Sequence, residues 1–187
     1  LYLQIFLEFY DDNEYFLLAK PTNKYVFPNT KTISPQSLWS FCPSIWRSCG
    51  CVKELRDMDV YWGLSGELPF GIHQLPIRKI VTIHDAIFIR YPELYSASYR
   101  ALFARKVQYA CDCADVIIAI SEQTKRDIIK FFHADESKIH VVYQGCNNCY
   151  RESILDSQIN SVRLRYKLPE QYILTVGAIE PRKNLQN

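Results

Sequence analysis

Residues Asp115-Val-Ile-Ile-Ala-Ile120, followed at once by Ser121-Glu122, decide the fold. Five apolar residues in a row leave no face for water. The segment therefore reads as a strand covered on both sides, the setting of a central strand in a parallel sheet. Ser121 has the short, oxygen-bearing side chain that caps a helix start, and Glu122 sets a negative charge against the positive end of the helix dipole. A strand that runs directly into a capped helix is the repeating unit of an α/β layer protein. The helix is expected to extend to about Phe132.

The same alternation spreads outward in both directions. Lys138-Ile-His-Val-Val-Tyr143 reads as the next strand and ends at Gly145-Cys-Asn-Asn148. Upstream, Ser96 to Ala114 has a helical period, with Leu102, Phe103, Val107, Ala110 and Ala114 on one side and Arg100, Arg105 and Lys106 away from it. Before that helix, Arg78-Lys-Ile-Val-Thr-Ile83 reads as a strand that stops at His84-Asp85, and Asp59-Val-Tyr-Trp62 as one that stops at Gly63. Glu14 to Ala19 reads as a further strand. Residues 20 to 51 are punctuated by Pro21, Pro28, Pro35 and Pro43, with one helix expected over Ser37 to Arg47 that carries Trp39 and Trp46. From Tyr150 to Pro169 the sequence turns polar around a helix near Asp156 to Tyr166. Then Tyr172-Ile-Leu-Thr-Val176 opens a fresh strand–turn–helix unit. The expected organisation is a first domain over 1–150, a helical linker over 151–170, and the start of a second domain over 171–187.

Bulk composition narrows the function. The 187 residues carry a net charge of +2, too small to argue for nucleic acid as a partner. No run of eighteen uncharged apolar residues is present, so a spanning helix is not expected. Leu1 to Phe9 is apolar but lacks a basic flank and a cleavage site, and reads as a truncated first helix of an internal fragment. The seven cysteines, Cys42, Cys49, Cys51, Cys111, Cys113, Cys146 and Cys149, are odd in number and scattered. That pattern points to a reducing, cytoplasmic compartment. Cys146-Asn-Asn-Cys149 has zinc-ligand spacing and Cys49-Gly-Cys51 is a conceivable partner pair, but ordinary free thiols are the favoured reading.

The residues with chemistry gather at strand ends. In an open parallel sheet, ligands settle outside the carboxyl ends of the strands. His84 stands at such an end, where an imidazole can meet a sugar hydroxyl or negative charge on a leaving phosphate; alternatively it bonds Asp85 or a backbone carbonyl and serves its own turn. Asp85 reads as an orienting or turn-forming group. Ser121 and Glu122 face the same edge, although capping alone accounts for Ser121. The Gly63-Leu-Ser-Gly66 loop, with Ser65 at its tip, can admit hydroxyls or serve only a turn. At the far end, the strand over 172–176 runs through Gly177 into Glu180-Pro-Arg-Lys-Asn184. Arg182 and Lys183 there suit a diphosphate: a guanidinium binds phosphate bidentately and an ammonium acts as a point charge. A solvated helix start would look the same. Arg100, Arg105 and Lys106 either touch anionic lipid or form the wet face of a helix.

These segments, in this order, resemble Glycosyltransferase Family 4 of the GT-B superfamily, especially its mannosyltransferase-like bacterial members. The resemblance is carried by Asp59-Val-Tyr-Trp-Gly63 with Leu68-Pro69, Ile80-Val-Thr-Ile-His-Asp85, Arg90-Tyr-Pro-Glu93, Ala114 to Ser121, Ile139 to Tyr143, and Val176 to Leu185. One departure is Ala178, where many relatives carry arginine directly after the glycine. The resemblance implies two Rossmann-like domains facing across a cleft, the first on the acceptor side and nearly complete here, the second on the donor side and only begun. It implies a retaining transfer of mannose or a similar hexose from a nucleotide-sugar donor to a glycan or lipid-linked acceptor. It further implies no metal or other cofactor, His84 as the catalytic residue, Arg182 and Lys183 as the donor diphosphate site, and Gly63, Ser65, Gly66, Asp85, Ser121, Glu122 and Gly177 as cleft-lining residues. Peripheral contact with the inner face of the cytoplasmic membrane fits such an enzyme. The family's glycine-rich loop would precede Leu1 and its paired glutamates would follow Asn187, so the 187 residues alone are expected to be inactive. An inactive remnant, or a nucleotide-sugar binding protein or epimerase of the same fold, is the alternative.

Overall fold

Among the described residues, six short strands, all in parallel pairings, carry the architecture. The computed structural model describes residues 10–19, 29–180 and Lys183; the Leu1 to Phe9 segment and Arg182 lie outside the described residues. β1 (Tyr15–Leu18) pairs with β2 (Thr30–Ile33) in a two-stranded sheet. β2 had no signal in the sequence reading, because Thr-Lys-Thr-Ile is too polar to stand out among the prolines. The main sheet is β3 (Val60–Gly63), β4 (Arg78–Ile83), β5 (Val116–Ala119) and β6 (Ile139–Val141), in sequence order across the sheet. β5 lies between β4 and β6, as its apolar run requires, with Ile117 wholly buried.

The described helices are α1 (Pro43–Ser48), α2 (Ile87–Arg90), α3 (Ala97–Cys113), α4 (Glu122–Phe132) and α5 (Asp156–Tyr166). Both long connecting helices start where the sequence puts a serine. Ser96 Oγ accepts from Tyr99 N at 3.3 Å, and Ser121 Oγ from Thr124 N at 3.1 Å. α4 stops at His133, which takes a left-handed conformation, a common helix terminus. Ile128 and Phe132 of α4, and Val107, Ala110 and Cys111 of α3, pack with Val81, Ile83 and Ile117 of the sheet into one core.

Three expectations are corrected. Ser37 to Arg47 is not one helix: a 3₁₀ turn, Ser37–Phe41, ends before Pro43, which starts α1. Proline lacks the N–H an interior helical position donates, and fits the first turn instead. Leu102 is exposed rather than part of the α3 core face, which includes Cys111 as well as Val107 and Ala110. Lys106 is not on a wet face: its side chain is only 18% exposed and its Nζ meets Glu67 Oε2 at 2.8 Å.

Chain contacts divide the molecule into residues 1–144 and 145–187. In the second unit α5 forms where the sequence places it and closes with Lys167 left-handed and Leu168 N bonded to Arg163 O at 3.0 Å, yet none of its residues is buried. The strand expected over Tyr172 to Val176 is absent. Those residues have no regular secondary structure, with Ile173 98% exposed. A strand exists by exchanging hydrogen bonds with a neighbour, and among the described residues no segment pairs with this one.

Candidate functional site

Four strand ends converge on His84. After β3 the loop from Gly63 to Gly66 folds back over β4, with Gly66 N donating to Thr82 O at 2.8 Å. Glycine is required at both ends of this loop. A Cβ at Gly63 would lie 2.1 Å from Glu67 O, and Gly66 has φ +75°. Trp62 Nε1 donates to Thr82 Oγ1 at 2.9 Å, tying β3 to β4 beneath the loop. The result is that the Leu64 carbonyl sits 2.8 Å from His84 Nε2.

That contact fixes the imidazole's tautomer. A carbonyl can only accept, so Nε2 carries the proton and Nδ1 is left as an acceptor. Gln144 Nε2, just beyond β6, approaches Nδ1 at 3.4 Å, a long bond that a better donor can displace. From the first turn of α4, which follows β5, Thr124 Oγ1 donates to the His84 carbonyl at 3.0 Å, and Ser121 Oγ lies 3.0 Å from the same hydroxyl. The ring is therefore anchored at Nε2, with Nδ1 weakly engaged.

Beside it lies a cavity of about 350 Å³. His84 and Asp85 form one wall, Ser121, Gln123 and Thr124 another, and Ile87, Arg90, Tyr91 and Asp127 complete it. Asp85 Oδ1 accepts from Ile87 N at 3.2 Å, which starts the short α2 and leads the chain to Arg90. Asp127 is buried on α4 and accepts from three donors: Arg90 Nε at 3.1 Å, Arg90 Nη2, and Gln123 Nε2 at 2.8 Å. The hydrogen bond to Asp127 raises the Arg90 pKa further.

Of the residues the sequence singled out, His84, Asp85 and Ser121 line the cavity, and Gly63, Ser65 and Gly66 belong to the loop whose Leu64 carbonyl holds His84. Glu122 is exposed in the first turn of α4 and does not line it. Lys183 and Gly177 belong to the second unit. Lys183 is exposed and its N–H donates to Glu180 O at 2.9 Å, while Gly177 has φ +153°. Arg182 lies outside the described residues. Thr124, Gln123, Asp127, Arg90, Tyr91 and Gln144 escaped the sequence reading. One signal was available: Asp127 falls on the face of α4 that buries Thr124 and Ile128, and a carboxylate on a buried face needs a partner.

The cysteines follow burial rather than pairing. Cys51 and Cys111 are buried, which pushes their thiols up to about 11 and about 12, while Cys42, Cys49, Cys146 and Cys149 are exposed. Among the described residues, no group of three or more His, Cys, Asp or Glu side chains is placed to hold a metal ion, and no helix is long and apolar enough to cross a membrane.

A parallel α/β sheet with a polar cavity along the carboxyl ends of its strands defines a ligand-binding domain of Rossmann-like type. The profile of Glycosyltransferase Family 4 matches residues 20–148, and the chain belongs to that family. It is 26% identical over 117 residues to the serotype-specific mannosyltransferase WbdA of Escherichia coli, covering 60% of this chain and 14% of that protein. It is 26% identical over 141 residues to the O-antigen chain mannosyltransferase B of Escherichia coli, covering 75% of this chain and 35% of that protein. The chain thus spans about a seventh and about a third of the two relatives' lengths. A crystal structure of Anabaena Alr3699/HepE in complex with UDP-glucose aligns at a TM-score of 0.49 and 16% identity, over 74% of this chain and 36% of that one.

Proposed function

We propose that this protein is a retaining glycosyltransferase that moves mannose or a similar hexose from a nucleotide-sugar donor to a hydroxyl of a glycan or lipid-linked acceptor, in the cytoplasm and without a metal ion. The observation that carries the reading is the seat of His84 at the meeting point of four strand ends, in a chain of this family. The named activities of the relatives, a serotype-specific and an O-antigen chain mannosyltransferase, support mannose as the sugar.

In such a transfer the acceptor oxygen bonds to the anomeric carbon as the bond from that carbon to the diphosphate oxygen breaks. The acceptor's proton passes to the departing phosphate oxygen. In this scheme His84 orients the sugar rather than taking the acceptor's proton, which the departing phosphate receives. Its Nδ1 accepts from a sugar hydroxyl that displaces Gln144, which orients the sugar against the reacting centre. Arg182 and Lys183 stabilise charge on the diphosphate.

The test is nucleoside diphosphate release from GDP-mannose and from UDP-sugars, with mannose oligosaccharides as acceptors, on the 187-residue chain and on any longer polypeptide that contains it. Acceptor-dependent release, unchanged by a chelator, is expected from a longer polypeptide that contains the chain and not from the 187 residues alone. His84→Ala lowers kcat/KM by about a hundredfold, and Lys183→Ala raises KM for the donor. Release from neither donor, or a His84→Ala enzyme of full activity, overturns the proposal.

A further inference from the structure

The Cys146-Asn-Asn-Cys149 segment, which the sequence singles out for its spacing, has no part in the site around His84. Burial and geometry separate it from the other thiols. Cys51 and Cys111 are buried, and Cys51 Sγ also donates to Arg47 O at 3.4 Å. Cys111 and Cys113 are two positions apart on α3, a spacing whose side chains do not face each other. Cys42 and Cys49 are exposed but flank the two ends of α1, so about 10 Å of helix separates them. A disulfide spans at most about 7 Å between Cα atoms.

Cys146 and Cys149 meet none of these obstacles. Both are exposed, and among the described residues neither sulfur makes a hydrogen bond. The chain turns within the segment. Cys149 N donates to Asn147 Oδ1 at 3.0 Å and Tyr150 N to Asn147 O at 3.0 Å, which sets up the 3₁₀ turn Asn148–Tyr150. An extended run would hold residues three apart at about 10 Å, whereas a turning chain brings them within reach of a disulfide. The pair lies at the start of the second unit.

We propose that Cys146 and Cys149 are a redox-modification site that closes reversibly into an intrachain disulfide. The oxidant is a low-molecular-weight disulfide. One cysteine thiolate attacks a sulfur of that disulfide, whose S–S bond breaks and releases one small thiolate. The second cysteine thiolate then attacks the protein-bound sulfur and expels the other small thiolate. Two protein thiols thereby lose two electrons and two protons, and the oxidant becomes two thiols. In a reducing compartment an exposed pair of this kind is open at rest and closes under oxidative load. The inference concerns the sulfurs alone and is independent of the glycosyl-transfer reading.

The experiment incubates the full chain with glutathione disulfide, quenches with acid, alkylates the remaining thiols, and reads peptides by mass. Both cysteines fall in the single tryptic peptide 139–151, so closure shows there as the loss of two hydrogens. At least about tenfold more of this disulfide is expected than of any link involving Cys42 or Cys49, and dithiothreitol reverses it. In Cys149→Ser the resolving thiol is missing, so Cys146 accumulates as a mixed disulfide with glutathione, and Cys146→Ser gives the converse at Cys149. Two stable glutathione adducts on the native peptide, free thiols at both positions, or a link between chains in place of the internal one overturns the inference. Zinc retained through dialysis by the native chain but lost in Cys146→Ser overturns it as well, in favour of a metal site.

Discussion

The segments Val116–Ala119 and 172–176 look alike in sequence and differ completely in structure. Val-Ile-Ile-Ala and Tyr-Ile-Leu-Thr-Val are both apolar, both precede a turn, and both have strong strand propensity. The first is the wall of a core, with Ile117 fully buried between β4 and β6. The second is coil with its apolar side chains in solvent. Propensity only states that a residue fits a pleated, half-buried surface. A strand also needs neighbours that take its N–H and C=O groups, and β5 has them on both sides. α4 and α5 repeat the lesson, since both are eleven-residue helices. α4 buries Thr124, Asp127, Ile128 and Phe132, whereas α5 buries nothing.

The sharpest way to break this contrast is to truncate one side chain in each region. Ile117→Ala removes buried methyl groups from the middle of the sheet and is expected to cost about 2–5 kcal/mol in urea unfolding. A loss much below that range would mean the core relaxes around β5 and that its burial is not what separates the two segments.

A smaller effect tests burial in the first unit by pH. Cys111 is pushed up to about 12 from an ordinary 9.0, and Cys51 to about 11, both by desolvation. The folded state holds these protons more tightly than the unfolded chain. Their contribution is complete below pH 9 and is lost as pH rises from there toward 11–12, because the unfolded chain ionises first. The expected slope is at most about 1.4 kcal/mol per pH unit for each thiol. Cys111→Ala removes one thiol's share of that alkaline slope, read from unfolding curves at stepped pH.

The smallest effect is expected in the second unit. Ile173→Ala leaves stability within about 0.5 kcal/mol, and the amides of residues 172–176 exchange with solvent far faster than those of β5. Slow exchange there would show a ladder and erase the contrast.

The sequence reading recovered β4 and its stop at His84 because a six-residue run with a polar break is a local signal. Ser121 was legible for the same reason: a cap acts on N–H groups three residues away. Leu102 was misplaced because a helical period with several candidate apolar residues does not say which of them the sheet will cover. Arg90 and Asp127 were invisible as a pair since thirty-seven residues separate them. Gln144, sixty residues from His84, carried no motif at all.

What the amino-acid order determined unaided was the alternation of strand and helix, the capped helix starts, and the placing of a histidine and a serine at strand ends. Those properties depend on residues within a turn or two of each other. The contact of His84 with Leu64, the pairing of Arg90 with Asp127 and, among the described residues, the lack of a ladder over 172–176 were decided by tertiary structure. Each depends on which distant groups come within hydrogen-bonding reach, and that follows from packing the sheet rather than from any local pattern.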